Sequence, residues 1–369
     1  MTKVCLYTIC KDEDHEVEGW WESAKEADYV IALDTGSTDG MDVHLERLGC
    51  EVHRKTYDRF RFDVARNDSM EYAYATDADV FVNLDMDERF HPGWADILRE
   101  EWAKGDYERG SCTYYCESPE NPGRRNWIHN RDWHWHYPVH ETLYRNGGGG
   151  IWYHVSKSLD LTGRVFIHHQ RKPVKKTRDQ YLSLIELRWE EDKPALDSLC
   201  YLVREYMYAG KSERTLAMIP EIESLQLEGN VGSWVAVFVA WAYEDVKQPH
   251  KAMAWDYRAW RMDPTCRTAP VSLARLLCDD GNPEMAHEVL KQAYREAAEW
   301  NQHCMFYDAN DVWTWRMDDW MGVVLSRLGR REEAVLYYER ALKAAEEKDP
   351  GAVPHVRANL DYARKAIGG

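Results

Sequence analysis

The chain has 369 residues, 44% hydrophobic and 30% charged, which fits two or three globular domains with ample core. Its 47 basic and 64 acidic residues leave a formal charge of −17, a field that repels phosphate backbones and argues against a general nucleic-acid binder. No apolar run approaches the roughly 18 residues of a membrane span, so no membrane insertion is expected. The opening MTKVCLYTICKDED turns acidic before a signal-peptide core can form. Nine cysteines without a CxxC pair read as reduced thiols. Together these features predict a cytoplasmic chain.

Val4 to Cys10 reads as a buried strand and Glu16 to Glu26 as a helix. Tyr29 to Leu33 is a second strand, ending at Asp34 and the turn sequence TGSTDG, and Glu51 to His53 is a short third. Phe62 to Ala75 is helical, with Ala65, Ser69 and Ala73 small enough to lie close on a sheet. Ala78 to Leu84 (ADVFVNL) is the clearest strand, and it runs directly into Asp85-Met86-Asp87-Glu88. Strands separated by helices predict a Rossmann-like, mostly parallel sheet, whose ligands sit beyond the carboxyl ends of the strands. Lys11-Asp12-Glu13, Asp34 to Gly40 and Asp85 to Glu88 all fall at such ends.

From about 105 to 170 the pattern is irregular and aromatic, with a flexible Gly147 to Gly150 run. Arg178 to Glu191 is amphipathic, and a repeat follows. Ala240, Tyr243, Ala252 and Ala259 align with Ala274, Leu277, Ala286 and Ala293 at a shift of 34 residues. Val203, Tyr206 and Gly210 mark a fainter unit before them. Gly322, Leu325, Gly329, Ala334, Tyr338 and Ala341 form a strong one, displaced 48 residues by an insertion near Trp300 to Trp313. That period with small residues at fixed offsets is the tetratricopeptide signature; a generic bundle has amphipathicity but no fixed period. The predicted organisation is an α/β domain over 1–175 and an all-α repeat domain over 176–369.

Two carboxylates together in a cleft repel unless a cation holds them. Asp85 and Asp87 at a strand end therefore suggest Mg²⁺ or Mn²⁺ bound through hard oxygen ligands, with positions open for a substrate diphosphate. Taken alone, an Asp-x-Asp triplet is an ordinary acidic turn; its place beside Asp34 and Arg66-Asn67 at one sheet edge gives it meaning.

The set ICKDE (9–13), DTGSTDG (34–40), ARND (65–68), NLDMDE (83–88) and PVHE (138–141) resembles family 2 glycosyltransferases of the GT-A fold. Ile167-His168 and the segment from Lys176 to Leu187 resemble the passage into tetratricopeptide repeats in one branch of that family. The resemblance implies an inverting transferase using a nucleotide-diphosphate sugar, with a UDP-sugar favoured. It implies that Asp34 meets the nucleotide base, with Gly36 and Ser37 in the same turn. Thr8, Cys10, Lys11 and Glu13 would line the base and ribose. Arg66 would meet the nucleotide, and Asp85 with Met86 the ribose side. Asp87 would be the direct metal ligand, Asp85 would reach the metal through water, and His168 would be a further ligand, with His169 competing. Glu141 would be the catalytic base, with Asp132 and Glu88 as fallbacks. Asp12 and Met86 depart from the usual Asn and Ala without changing a ligand type.

Trp127 to Tyr137 (WIHNRDWHWHY) is either an acceptor platform of sugar-stacking rings or the packing of a small subdomain. His134 and His136 alternate on one strand face, but no partner has tetrahedral zinc spacing. The basic run Arg171 to Arg178 is either a solvated helix start or a steering patch for a diphosphate. A nucleotidyltransferase is disfavoured because ICKDEDHE lacks a glycine-rich loop, and an aspartyl phosphatase because its DxD follows the first strand. The remaining alternative is an inactive front domain joined to a protein-binding scaffold, since helical solenoids build concave surfaces for partners. The acceptor stays open among peptide, glycan and modified nucleobase, and the repeats are open to homo-oligomerisation.

Overall fold

The computed structural model describes residues 1–115, 123–147, 157–170, 179–297 and 310–368. The chain divides into two units, Met1–Thr177 and Arg178–Gly369. The Gly147 to Gly150 run past its first residue, the basic run 171–178 and most of the 300–313 insertion lie outside the described residues.

The first unit is an α/β domain. β1 (Val4–Cys10), α1 (Asp14–Ala24), β2 (Tyr29–Asp34), α2 (Met41–Leu48), β3 (Glu51–Arg54), α3 (Phe62–Tyr74) and β4 (Val80–Asn83) alternate as the hydrophobic patterning predicts. They form a parallel block ordered β3-β2-β1-β4. β1 alternates its side chains between two layers. Val4, Leu6 and Cys10 join Val17, Trp20, Met41 and Leu45 from α1 and α2. Cys5 and Tyr7 join Met70 and Ala73 from α3. Burial on both faces explains why the strand reads as a continuous apolar run.

After β4 come β5 (Glu88–Phe90), α4 (Trp94–Trp102), β6 (Arg109–Tyr115), β7 (Gly123–His129), β8 (Trp133–His136), β9 (Thr142–Arg145), β10 (Ser158–Asp160) and β11 (Phe166–His169). Among its described residues, the stretch read as irregular is thus largely strand. β7 pairs antiparallel with β4 and β6, β11 pairs parallel with β6, and β5 closes the path antiparallel to β11. The sheet is mixed: among the described residues five of its eight strand pairings are parallel, as expected, and the three antiparallel ones all involve β5 or β7. Arg124 and Arg125 on β7 hide its period, because their partners, Ser111 and Glu88, lie far away in sequence. β8 and β9 form a separate hairpin.

The second unit is all helix: α5 (Asp179–Asp192), α6 (Leu196–Tyr208), α7 (Ser212–Ala217), α8 (Ile219–Ser224), α9 (Gly229–Asp245), α10 (Pro249–Met262), α11 (Thr268–Asp279), α12 (Pro283–Glu296), α13 (Asn310–Thr314), α14 (Arg316–Arg327), α15 (Arg331–Lys348) and α16 (Val353–Gly368). α10 and α12 each start at a proline, where the missing N–H costs nothing. The small residues of the repeat, Ala240, Ala252, Ala274, Ala286, Ala334 and Ala341, are fully buried. Gly322 shows why they must be small. A Cβ there would sit 2.6 Å from the Tyr338 ring of α15. Among the described residues all seven cysteines are free and buried, and no helix is long and apolar enough to cross a membrane.

Candidate functional site

The acidic turn is fixed from both sides. Asn83 donates Nδ2 to the Tyr7 carbonyl at 3.0 Å, and the Trp20 indole donates to the Leu84 carbonyl at 3.2 Å. Asp85 to Glu88 then close on themselves, Glu88 N donating to Asp85 O at 2.9 Å. The register of β11 on β5 sets His169 opposite Glu88, and Gln170 N donates to Asp87 O at 2.6 Å. These bonds bring His169 Nε2 to 3.3 Å from Asp87 Oδ2. His168 is exposed and stacks on Tyr115, with ring centroids 4.9 Å apart. Of the two candidate histidines, the one beside Asp87 is therefore His169. Successive strand residues point to opposite faces, so only one of the pair can do so.

Beneath the turn lies Arg66, on α3 and only 4% exposed. Its guanidinium donates to Asn83 Oδ1 at 2.6 Å, Asp85 Oδ1 at 2.8 Å and Glu141 Oε1 at 2.6 Å. The rings of Trp127 and Trp135 flank it, each centroid 5.0 Å from Cζ. Burial works against its charge, but Asp85 and Glu141 outweigh burial and raise its pKa above the ordinary arginine value. Arg66 is therefore turned toward two carboxylates, rather than presented to a nucleotide as the resemblance implies. A second arginine escaped the sequence reading. Arg125 bonds Glu88 and lies 3.5 Å from the Trp127 ring centroid and 4.1 Å from that of Tyr114. Burial lowers its pKa to about 10, against the pull of Asp85, so it stays protonated at neutral pH. A Glu88–Arg125 pair 37 residues apart leaves no local signal in the sequence.

At the end of β2, Asp34 accepts from Gly36 N at 3.2 Å and Ser37 N at 3.1 Å, and also from the Ser37 hydroxyl. Gly36 sits at φ +106°, a conformation that favours glycine. Asp12 joins the same turn, accepting from Thr38 N at 2.7 Å while its own N–H donates to Ser37 Oγ at 3.0 Å. The unusual Asp12 thus ties the β1 end to the β2 end. Lys11 is exposed and Glu13 half-buried beside this loop.

Three candidates are not surface groups. Thr8 and Met86 are buried, and Cys10 Sγ lies within the core against Leu33 O at 3.7 Å. Cys10 on β1 and Met86 in the acidic turn belong to the apolar core packed on α1 and α2, and Thr8 is fully enclosed in β1, so none of the three is exposed to a ligand. Trp133 and Trp135 are each 1% exposed and pack with Met70 and Leu143, so they are core and not an acceptor platform. Asn67 fixes that packing: its amide donates to Trp135 O at 2.8 Å and accepts from Trp135 N at 2.7 Å. Of the fallback bases, Glu88 is fully buried on Arg125, and Asp132 precedes the open end of the β8–β9 hairpin. Glu141 precedes β9 at the other end, roughly 13 Å away along the strands. His134 bonds Asn146 Oδ1 at 2.8 Å.

Among the described residues no three His, Cys, Asp or Glu side chains form a ready metal cage. The donor set still fits a cation that keeps most of its coordination open. Neighbouring ligands about 2.1 Å from an octahedral ion lie about 3.0 Å apart, close to the 3.3 Å between Asp87 and His169. The paired groups Asp85, Asp87, Glu88 and Glu141 against Arg66 and Arg125 leave an excess of two negative charges.

Comparison with known proteins reaches the helical unit. Residues 321–352, which cover the end of α14 and all of α15, match the tetratricopeptide repeat family. Similar solved structures include MamA, at 17% identity over 46% of this chain and 90% of that chain, with a TM-score of 0.37. A thermophilic TPR protein of Thermus thermophilus is 17% identical over 49% of this chain and 90% of its own, with a TM-score of 0.36. The first TPR of Spaghetti, bound to an HSP90 peptide, is 14% identical over 39% of this chain and 98% of its own, with a TM-score of 0.31. Scores this low carry no argument about ligands. No curated protein sequence matches the chain.

Proposed function

We propose that the helical repeats are a protein-interaction scaffold, and that the front domain is a metal-assisted, GT-A-like site for a nucleotide-diphosphate sugar. The tetratricopeptide match supports the scaffold half, and of the two halves it is the one that the comparisons favour. An inactive front domain on a working scaffold is accordingly the second reading. The catalytic half rests on a single observation: Asp85, Asp87, Glu141 and His169 gather around buried Arg66 and Arg125 where β4 ends.

In this reading Asp87 and His169 hold the cation, and Asp34, its carboxylate fixed by the Gly36 and Ser37 amides, accepts from the nucleotide base, uracil being favoured by the resemblance. An imidazole beside a carboxylate suits Mn²⁺ better than Mg²⁺. The bound ion would supply Lewis-acid stabilisation of a departing diphosphate. Arg66 fixes Glu141 through Oε1, which leaves Oε2 as the atom that takes a proton from an acceptor hydroxyl. Hydrolysis or transfer from a panel of UDP-sugars, with and without Mn²⁺, tests the reading. Metal-dependent turnover lost in Asp87→Ala supports it; turnover unchanged by that substitution, or no donor bound under any metal, leaves the scaffold alone.

A further inference from the structure

A shallow cavity of about 270 Å³ lies where α6 and α9 end, lined by Met207, Tyr208, Trp241, Glu244 and Asp245. Trp241, Glu244 and Asp245 occur at i, i+3 and i+4 and so share one face of α9. Met207 and Tyr208 close α6.

The two rings at the rim are held in place. Tyr208 meets Phe238 edge-on, with centroids 6.4 Å apart at 78°, and Phe238 meets Trp241 at 5.3 Å and 84°. Trp234 also meets Trp241, at 6.3 Å and 85°. Phe238 and Trp234 are buried, whereas Tyr208 is 52% exposed. An aromatic rim with fixed rings loses little entropy on binding a ligand.

The polar lining is acidic. Glu244 accepts from Arg275 and, at 3.4 Å, from Ser272; Asp245 accepts from the Ser212 hydroxyl. A carboxylate has about four acceptor sites, so both keep capacity for another donor. Tyr208 and Asp245 are also the last residues of their helices, and helix C-termini carry partial negative charge. Ring faces, carboxylates and helix ends all attract the same kind of group, a cation. The volume falls below the roughly 300–1,000 Å³ of small-molecule pockets and suits one side chain.

We infer that this cavity receives a lysine or arginine side chain presented by a basic peptide segment of a protein partner. The inference rests on the scaffold reading and names the chemistry of the partner. Fluorescence anisotropy of a labelled Arg/Gly nonapeptide with the full chain tests it, alongside an Asp/Gly nonapeptide of equal length. The basic peptide is expected to bind, more weakly as salt rises, and the acidic one not to bind. Tyr208→Ala and Trp241→Ala are each expected to weaken binding roughly threefold to thirtyfold, and Asp245→Asn severalfold. Tyr208→Ala removes an exposed ring and keeps the test valid should Trp241→Ala fail to fold. Equal binding of both peptides, no binding, or basic-peptide binding indifferent to all three substitutions overturns the inference; the last result means diffuse attraction to an acidic chain. A protein partner captured by the repeats regardless of these substitutions overturns the cavity while sparing the scaffold reading.

Discussion

Arg66 is the group on which the geometry of the front site depends, and a double-mutant cycle measures that dependence. Its guanidinium is 4% exposed, against 28% for the Asp85 side chain and 10% for that of Glu141. Breaking a buried pair from one side costs about 3–5 kcal/mol. The partial exposure of Asp85 lets water replace some of its lost bond, so Arg66→Met is expected near the lower end, about 3 kcal/mol. Glu141→Gln keeps the shape and removes one charge-assisted bond, for about 1.5–3 kcal/mol. In the double variant no uncompensated Glu141 charge is left, so the two losses overlap by about 1–2 kcal/mol. Urea unfolding of the four proteins, followed by near-UV circular dichroism, gives the coupling. Losses that add within about 0.5 kcal/mol would refute the claim that Arg66 holds Glu141 in place.

Other outcomes follow from particular contacts. His129 is fully buried, its Nε2 2.9 Å from the Tyr7 hydroxyl and its Nδ1 2.7 Å from Asn130 O. Burial lowers its pKa to about 4 from an ordinary 6.5. The unfolded chain therefore binds the extra proton first, and stability falls as pH drops from 6.5 to 4, by about 3 kcal/mol; His129→Gln should flatten that part of the profile, and an unchanged profile would contradict the assignment. Gly322→Val places a Cβ 2.6 Å from the Tyr338 ring and should destabilise the chain by about 1–3 kcal/mol in urea titrations. Tyr338→Ala removes a buried ring and is itself costly, but the double variant should lose clearly less than the sum of the two single losses, and strict additivity would mean the crowding lies elsewhere.

What the sequence revealed about this fold follows how local each signal is. β1 is legible to the residue because both of its faces are buried, and the 34-residue period survives because every pair of helices must place small residues at the same crossings. The strands from 109 to 169 are hidden because arginines and aromatics occupy positions that an ordinary strand gives to valine. At the site, the acidic turn stands out because it follows an apolar strand directly. The role of Arg66 does not, since its partner Glu141 lies 75 residues away. The choice between His168 and His169 hangs on the pairing of Ile167 with Phe90, and a one-residue slip would exchange the two. Thr8, Cys10 and Met86, which the sequence resemblance puts beside a nucleotide, have side chains that lie in the core.

Titration of Mn²⁺ into the full chain with UDP present, read by the paramagnetic resonance of the unbound ion, tests the front-domain account most directly. One ion per chain is predicted, its affinity reduced at least tenfold by Asp87→Ala and by His169→Ala, and unchanged by His168→Ala. Equal uptake by the Asp87→Ala protein, or loss in the His168 variant with none in the His169 variant, would contradict it.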